Sequence, residues 1–455
     1  MNINEVFRKS HQGSINDLVL AKEVKNPVEY FNFDESFDLT PNYSELCELY
    51  GNEIADKCYY FLGLFPEVVY FDKDNYVIFK LTSAILSHTP KEKVQQLINH
   101  IMADIKEHGL ESPKVFIGVP SEFQMSLIDY YLTNNDIKDY KSFIELYTYN
   151  EYNFSQLSKD KLHKIFGAPH EKIGQDIIDS LPRTVTIYRG EGDASTPTKK
   201  AMSWSLSRDI AAFFACKNSD EKATIIEAKV RREHILDIIN ERDEEEVLVY
   251  PENVKIVKRT KLPSIDDISN KYAQEFVNVQ FVFETLMKKY INDIKDKTRS
   301  SHDHNFEHLQ RVCILSGLIH EISRKKYSVL NDKSLIDVMT AAIWHDIARE
   351  NDNEDNEHGK RAAEFLSESD FPFINERILQ IVEYHCLDDS QFPVTDKVTK
   401  LLYQILKDAD ALDRVRFGIK ALDTSYLRLG ISKTLIFFAH QMLSSILYIE
   451  KWTTR

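Results

Sequence analysis

The sequence predicts a multidomain α+β protein: a mixed α/β segment, then a β-rich one, then one that is almost wholly helical. Three observations carry that expectation. The chain has 455 residues, a length that ordinarily divides into two or three domains, each able to bury its own core. Its 43% hydrophobic and 28% charged residues are the balance of a folded chain, not of a disordered one. The texture changes twice, near residue 146 and again near Pro263. The expected domains are therefore 1–145, 146–260 and 261–455.

In the first segment Val68 to Leu81 (VVYFDKDNYVIFKL) reads as a β-hairpin with Asp72 to Asn75 as its turn. Lys91 to His108 has the period of an amphipathic helix, ended by Gly109 and Pro113. Val115 to Val119 (VFIGV) reads as a buried strand, and Pro120 and Ser121 as the cap of a further helix. No chemistry is visible here, so an accessory or target-binding domain is expected. The second segment starts helical and then gives short strands at Val185–Tyr188, Ala201–Ser205, Ala223–Val230 and Val247–Val249. The third opens on a helix over Tyr272 to Ile294.

Composition excludes some functions. A net charge of −15 repels a phosphate backbone, so general nucleic-acid binding is not expected. Five cysteines, an odd count with no CxxC pair, read as reduced thiols. Met1 to Gly13 has no apolar core of a leader, and no apolar run approaches the roughly 20 residues of a membrane span. The expected location is the cytoplasm, or a host cytosol if the protein is exported as an effector.

Chemistry first shows in three fragments of the last segment: Asn305–Val312 (NFEHLQRV), Ala342–Arg349 (AIWHDIAR) and Lys407–Arg414 (KDADALDR). Phosphoester hydrolysis with a metal needs carboxylate ligands beside imidazoles, so that a bound water is acidified and phosphoryl charge is neutralised. His308, His345, Asp346 and one late aspartate, Asp410 or Asp408, supply that set. The ordered fragments resemble the HD phosphohydrolase superfamily over about residues 300 to 420. The resemblance implies an all-α domain, one or two divalent ions (Mn, Fe or Mg) and a nucleotide or phosphoester substrate. In two-metal members further histidines fall where His358 and His385 stand. Those two are either ligands of a second ion or side chains touching ligands or substrate. His304 and Asp413 read as supporting or surface residues, and Arg349 and Lys407 as phosphate clamps or solvated charge. The (p)ppGpp-hydrolase subgroup carries an acidic pair where this chain has Arg349 and Glu350, which argues against that substrate.

A second set lies in the middle segment: Thr186–Glu191 (TIYRGE), Ala201–Ala215 (AMSWSLSRDIAAFFA) and Glu244–Pro251 (EEEVLVYP). Two serines two apart on a strand face one side, and Ser207 is placed to cap the helix that follows. In order, these fragments resemble the Arg-Ser-Glu class of NAD-dependent ADP-ribosyltransferases. The resemblance implies NAD as co-substrate held by Arg189, Ser203, Ser205 and Glu246. Glu246 would stabilise the ribosyl cation, and Glu244 would serve an arginine acceptor on a protein substrate. The combined expectation is a bifunctional enzyme, possible as a bacterial toxin or effector. The alternative is an HD nucleotide phosphohydrolase whose other domains only bind or regulate.

Overall fold

The computed structural model describes residues 14–32, 40–62, 66–81, 90–116, 118–149, 157–168, 170–193, 195–217, 219–240, 242–298, 303–393 and 396–444. Residues 1–13, read above as lacking a leader, lie outside that set. The chain forms two compact units, one of Met1–Asp179, Lys200–Met202 and Leu236–Arg242, the other of Ser180–Lys199, Ser203–Ile235 and Asp243–Arg455. Among the described residues no helix is long and apolar enough to cross a membrane.

In the first unit four antiparallel strands lie in chain order: β1 (Val19–Leu20), β2 (Cys58–Leu62), β3 (Pro66–Asp72) and β4 (Val77–Lys80). The expected hairpin is β3–β4, with Asp72 opposite Val77. The Asp72 carboxylate builds the turn by accepting from the backbone N–H groups of Asp74 (3.1 Å) and Asn75 (3.3 Å). Helix α1 (Lys91–His108) stops where Gly109 takes φ +85°, a conformation that glycine adopts without strain. Val115 and Phe116 do not open a strand; they end a short helix, Pro113–Phe116. Proline at its first position presets helical φ, and a short apolar run fits a buried helix as well as a strand. Helix α2 (Gln124–Tyr131) starts from Phe123, not from Pro120 or Ser121. Residues 236–242 belong to this unit because Asp237, fully buried, accepts from the Tyr140 hydroxyl (2.9 Å) and the N–H groups of Ile173 (3.0 Å) and Gly174 (2.9 Å).

The second unit joins a sheet to a helical bundle. Its strands are β5 (Thr184–Glu191), β6 (Ser203–Ser205), β7 (Ala223–Arg231), β8 (Glu246–Val249) and β9 (Lys255–Leu262), with α3 (Arg208–Lys217) between β6 and β7. Neighbours are antiparallel, in the order β9-β7-β5-β6-β8. Helix α3 sits directly on β5 at Gly190, where a Cβ would lie 2.1 Å from the Ala211 carbonyl oxygen and 2.3 Å from the Ala215 nitrogen. The helices follow: α4 (Ile265–Lys271), α5 (Ala273–Lys297), α6 (Phe306–Arg324), α7 (Asp332–Trp344), α8 (His358–Ser367), α9 (Glu376–Tyr384), α10 (Lys397–Asp413) and α11 (Ile436–Ser444). Side chains of Asn305, Asn331, Asn375 and Asp396 cap α6, α7, α9 and α10 by accepting from first-turn N–H groups. Helix α6 is buried along most of its length, as a helix at the centre of a bundle must be.

One hydrophobic core runs through this unit. It begins at Ala211 and Ala215 of α3 and Ala223 and Ile225 of β7, passes Leu262, and continues without a break into α5, α6, α7 and α10. The boundary expected near residue 260 therefore falls inside a core. Expressed alone, residues 261–455 are expected to aggregate or to melt well below the intact protein, because each large side chain left uncovered forfeits about 1.5–3 kcal/mol of burial. Thermal unfolding of the fragment beside the full chain checks this; equal melting temperatures would refute it.

Candidate metal centre

Four histidines and two aspartates meet inside the helical bundle. The Asn305 cap fixes His308 in the first turn of α6 by accepting from the His308 N–H at 3.0 Å. His345 and Asp346 follow the last residue of α7, where the backbone leaves the helix and both side chains can turn to one point. His358 opens α8, His385 follows α9, and Asp410 lies in the last turn of α10. All four histidines and Asp346 are buried. Asp410 is the open side, with its side chain 38% exposed.

The two oxygens of Asp346 face two groups. Oδ2 lies 3.4 Å from His308 Nε2 and 3.5 Å from His345 Nε2, and Asp410 Oδ1 lies 3.6 and 3.9 Å from the same nitrogens. Oδ1 lies 2.9 Å from His358 Nε2 and 3.3 Å from His385 Nε2, and those two nitrogens are 2.9 Å apart.

Which nitrogens carry hydrogen follows from their other partners. His345 Nδ1 faces the Ala342 carbonyl (2.7 Å), His385 Nδ1 the Val382 carbonyl (2.7 Å), and His358 Nδ1 the Asp355 carbonyl. His308 Nδ1 faces the Asp413 carboxylate (2.8 Å). Each of those groups only accepts, so Nδ1 must donate, and in a neutral ring Nε2 is left bare and pointing inward. Nε2 of His308 and Nε2 of His345 are buried with no hydrogen-bond partner among the described residues. His358 Nε2, His385 Nε2 and Asp346 Oδ1 are three acceptors within 3.3 Å of one another. Converging acceptors fit a cation, and the residues present suit a divalent ion at both positions, with an Arg349 guanidinium nitrogen 3.5 Å from His358 Nε2.

The same geometry orders the charges. Burial works against charge on His308, but the carboxylates of Asp346 and Asp413 outweigh it and raise its pKa to about 9. Burial dominates at His345 and lowers its pKa to about 4. Burial also opposes the charge of Asp346, yet the surrounding imidazoles hold its carboxyl well below the usual range.

The late aspartate left open by the sequence is resolved in position. Asp410 faces the histidines. Asp408 is fully buried and accepts from the backbone N–H groups of Arg428 (2.9 Å) and Leu429 (2.8 Å) and from the Ser432 hydroxyl (2.7 Å). Asp413 is no surface residue: 1% exposed, it accepts from Arg311, Arg416 and His308 and orients the His308 ring. His304 stands at the rim, its Nε2 3.8 Å from Asp346. Arg349 places a guanidinium nitrogen 3.3 Å from the His358 ring. The Lys407 ammonium is engaged by the Leu387 carbonyl, the Tyr403 hydroxyl and Asp389.

Sequence reasoning overlooked Gly359 and Cys386, though both adjoin histidines it had singled out. A Cβ on Gly359 would lie 2.6 and 2.8 Å from the carbonyl oxygens of Glu383 and Val382, so glycine alone lets α8 approach α9 closely enough to pair His358 with His385. Gly359→Ala is expected to push the two helices apart and weaken metal binding at this pair about 10- to 100-fold, as disturbed supports of ligands do. Calorimetric titration of the two positions checks this; an unchanged second affinity would count against it.

The middle-segment residues are only partly brought together. Ser205 stands opposite Glu246 across β6–β8, and Ser203 opposite Leu248, so both serines and Glu246 share one face. Glu246 is buried. The Ser205 hydroxyl donates to the Glu244 carbonyl at 2.8 Å, and Ser207 caps α3. Arg189 does not join them. Tyr188 is the residue opposite Ser205, so alternation sends Arg189 to the other face, and its guanidinium donates to the carbonyls of Ser203 and Thr196, both at 2.8 Å. Strand register thus places Arg189 one residue out of phase with Ser203 and Glu246, on the opposite face of the sheet.

No curated protein and no solved structure matches this chain. The family model of the HD domain matches residues 305–415, the span that holds all six side chains of the centre.

Proposed function

We propose that the protein is a metal-dependent phosphohydrolase acting on a nucleotide or related phosphoester, with residues 1–260 in binding or regulatory roles. The observation that carries this reading is the convergence of four buried, inward-pointing Nε2 atoms on the two oxygens of one carboxylate. His308, His345, Asp346 and Asp410 would hold one ion, and His358, His385 and Asp346 another. A bound divalent ion supplies an acidified water and a counter-charge for phosphoryl oxygens. The chain's own residues fix the rings through their Nδ1 bonds, keep the imidazoles dry, and leave Asp410 on the side from which substrate reaches the centre. Arg349, beside His358, is placed to offer a cation to a phosphate. Lys407 supports the fold instead. The test is hydrolysis of a panel of nucleotides and phosphodiesters by protein loaded with Mn, Fe or Mg. Metal uptake without turnover of any phosphoester would sink the reading.

A second reading, NAD-dependent ADP-ribosylation of a protein arginine in a toxin or effector, is favoured by one observation: a buried glutamate, Glu246, stands opposite Ser205 on paired strands. The position of Arg189 counts against it. Under this reading Glu246→Gln lowers NAD cleavage by about 10² to 10³. Intact NAD after incubation of the wild-type protein with cell lysate would end it.

A further inference from the structure

The position at His358 and His385 has a neighbour of a different chemistry. Cys386 follows His385 directly, and its sulfur, His358 and His385 each offer a ligand atom within 4.8 Å of the others. The sulfur lies over the first turn of α8, where a Cβ on Gly359 would be 3.0 Å from it. The Gly359 backbone N–H faces it, and burial pushes the thiol itself up. Independently of the cysteine, His358 Nε2, His385 Nε2 and Asp346 Oδ1 crowd together, with an Arg349 guanidinium nitrogen 3.5 Å from the first of them.

We propose that Cys386 supplies a thiolate to this second position, completing a set of two imidazoles, one carboxylate oxygen and one sulfur that takes a zinc-type ion. The inference rests on the metal-centre reading above and deepens it. Four donors of mixed N, O and S character match the tetrahedral preference of zinc, whereas Mg and Mn favour sites of oxygen alone. The thiol hydrogen now faces the Asn356 carbonyl at 3.4 Å. When the sulfur–metal bond forms, that S–H bond breaks and its proton leaves to solvent. No electron is transferred and no other reactant is needed. The two positions of one centre would then differ in kind: an imidazole–carboxylate position at His308 and His345, and a thiolate-bearing one at His358 and His385.

The test uses the full chain, stripped of metal and reloaded with cobalt(II). Two bound ions and a thiolate-to-cobalt charge-transfer band in the near ultraviolet are expected. In Cys386→Ser the band should vanish while the ion at His308 and His345 is retained, and zinc affinity at the second position should fall about tenfold or more. The wild-type protein gives a check that needs no variant: zinc should slow alkylation of Cys386, read by peptide mass, by a similar factor. Two bound cobalt ions without the band, a band that survives Cys386→Ser, or unprotected alkylation would each overturn the thiolate assignment and leave the phosphohydrolase reading standing. Failure to bind any ion would overturn both.

Discussion

Asp346→Ala is expected to empty both metal positions at once and to lower phosphoester hydrolysis by about 10³-fold or more. The expectation follows from the division of its carboxylate: Oδ2 serves His308 and His345, and Oδ1 serves His358 and His385. No other side chain of the centre reaches both pairs. Losing a single charge-stabilising contact already lowers rates by about 10² to 10³. Here the change also removes the means of making the nucleophile. His385→Ala should differ in kind, losing one ion and keeping the other. Elemental analysis alongside kcat/KM separates the two variants. An Asp346→Ala protein that still holds two ions would show that the carboxylate is not shared.

Metal uptake should also be steeply pH-dependent. In the metal-free protein His308 has a pKa of about 9 while His345 is already neutral above about 4. Between pH 6 and 8, therefore, an ion entering the His308–His345 position must displace about one proton there, the one on His308. Apparent affinity should fall about tenfold for each unit of pH lost in that window. The sign for stability is opposite. A histidine whose folded pKa lies above its unfolded value of about 6.5 stabilises the metal-free fold fully below pH 6.5, and that contribution disappears as pH rises through about 9. Metal and proton are thus alternative partners for the same carboxylates. Calorimetric titration in buffers of different ionisation heat counts the proton released. A count near zero at pH 7 would mean that His308 is neutral before the ion arrives.

The centre was legible in the sequence because its candidate ligands sit in short fragments whose identity survives without knowledge of packing. His308, His345, Asp346, His358, His385 and Asp410 are all found in one place. The choice between Asp410 and Asp408 was not legible. Both lie on α10, and only the direction each side chain takes, decided by packing against 428–432, separates them. Asp413 was undervalued for the same reason. In the middle segment the strands were readable, since β5, β7 and β8 fall where the β-branched runs are and β6 lies within the expected Ala201–Ser205. Their register was not. Pairing between residues far apart in the chain decides which face Arg189 occupies, and a shift of one residue exchanges faces. The boundary near residue 260 reflected a real change from strand to helix, but secondary structure does not show where a core ends.

That unbroken core bears on how genetic data should be interpreted. Alleles that introduce bulk at Gly190, Ala211 or Ile225 would silence phosphoester turnover without approaching a ligand, by unsettling the helices behind them. A cluster of loss-of-function alleles in α3 or β7 would therefore imitate a second active site. Only alleles at solvent-facing positions, such as Lys255 and Lys258 on β9, would report what the sheet does for the cell in its own right.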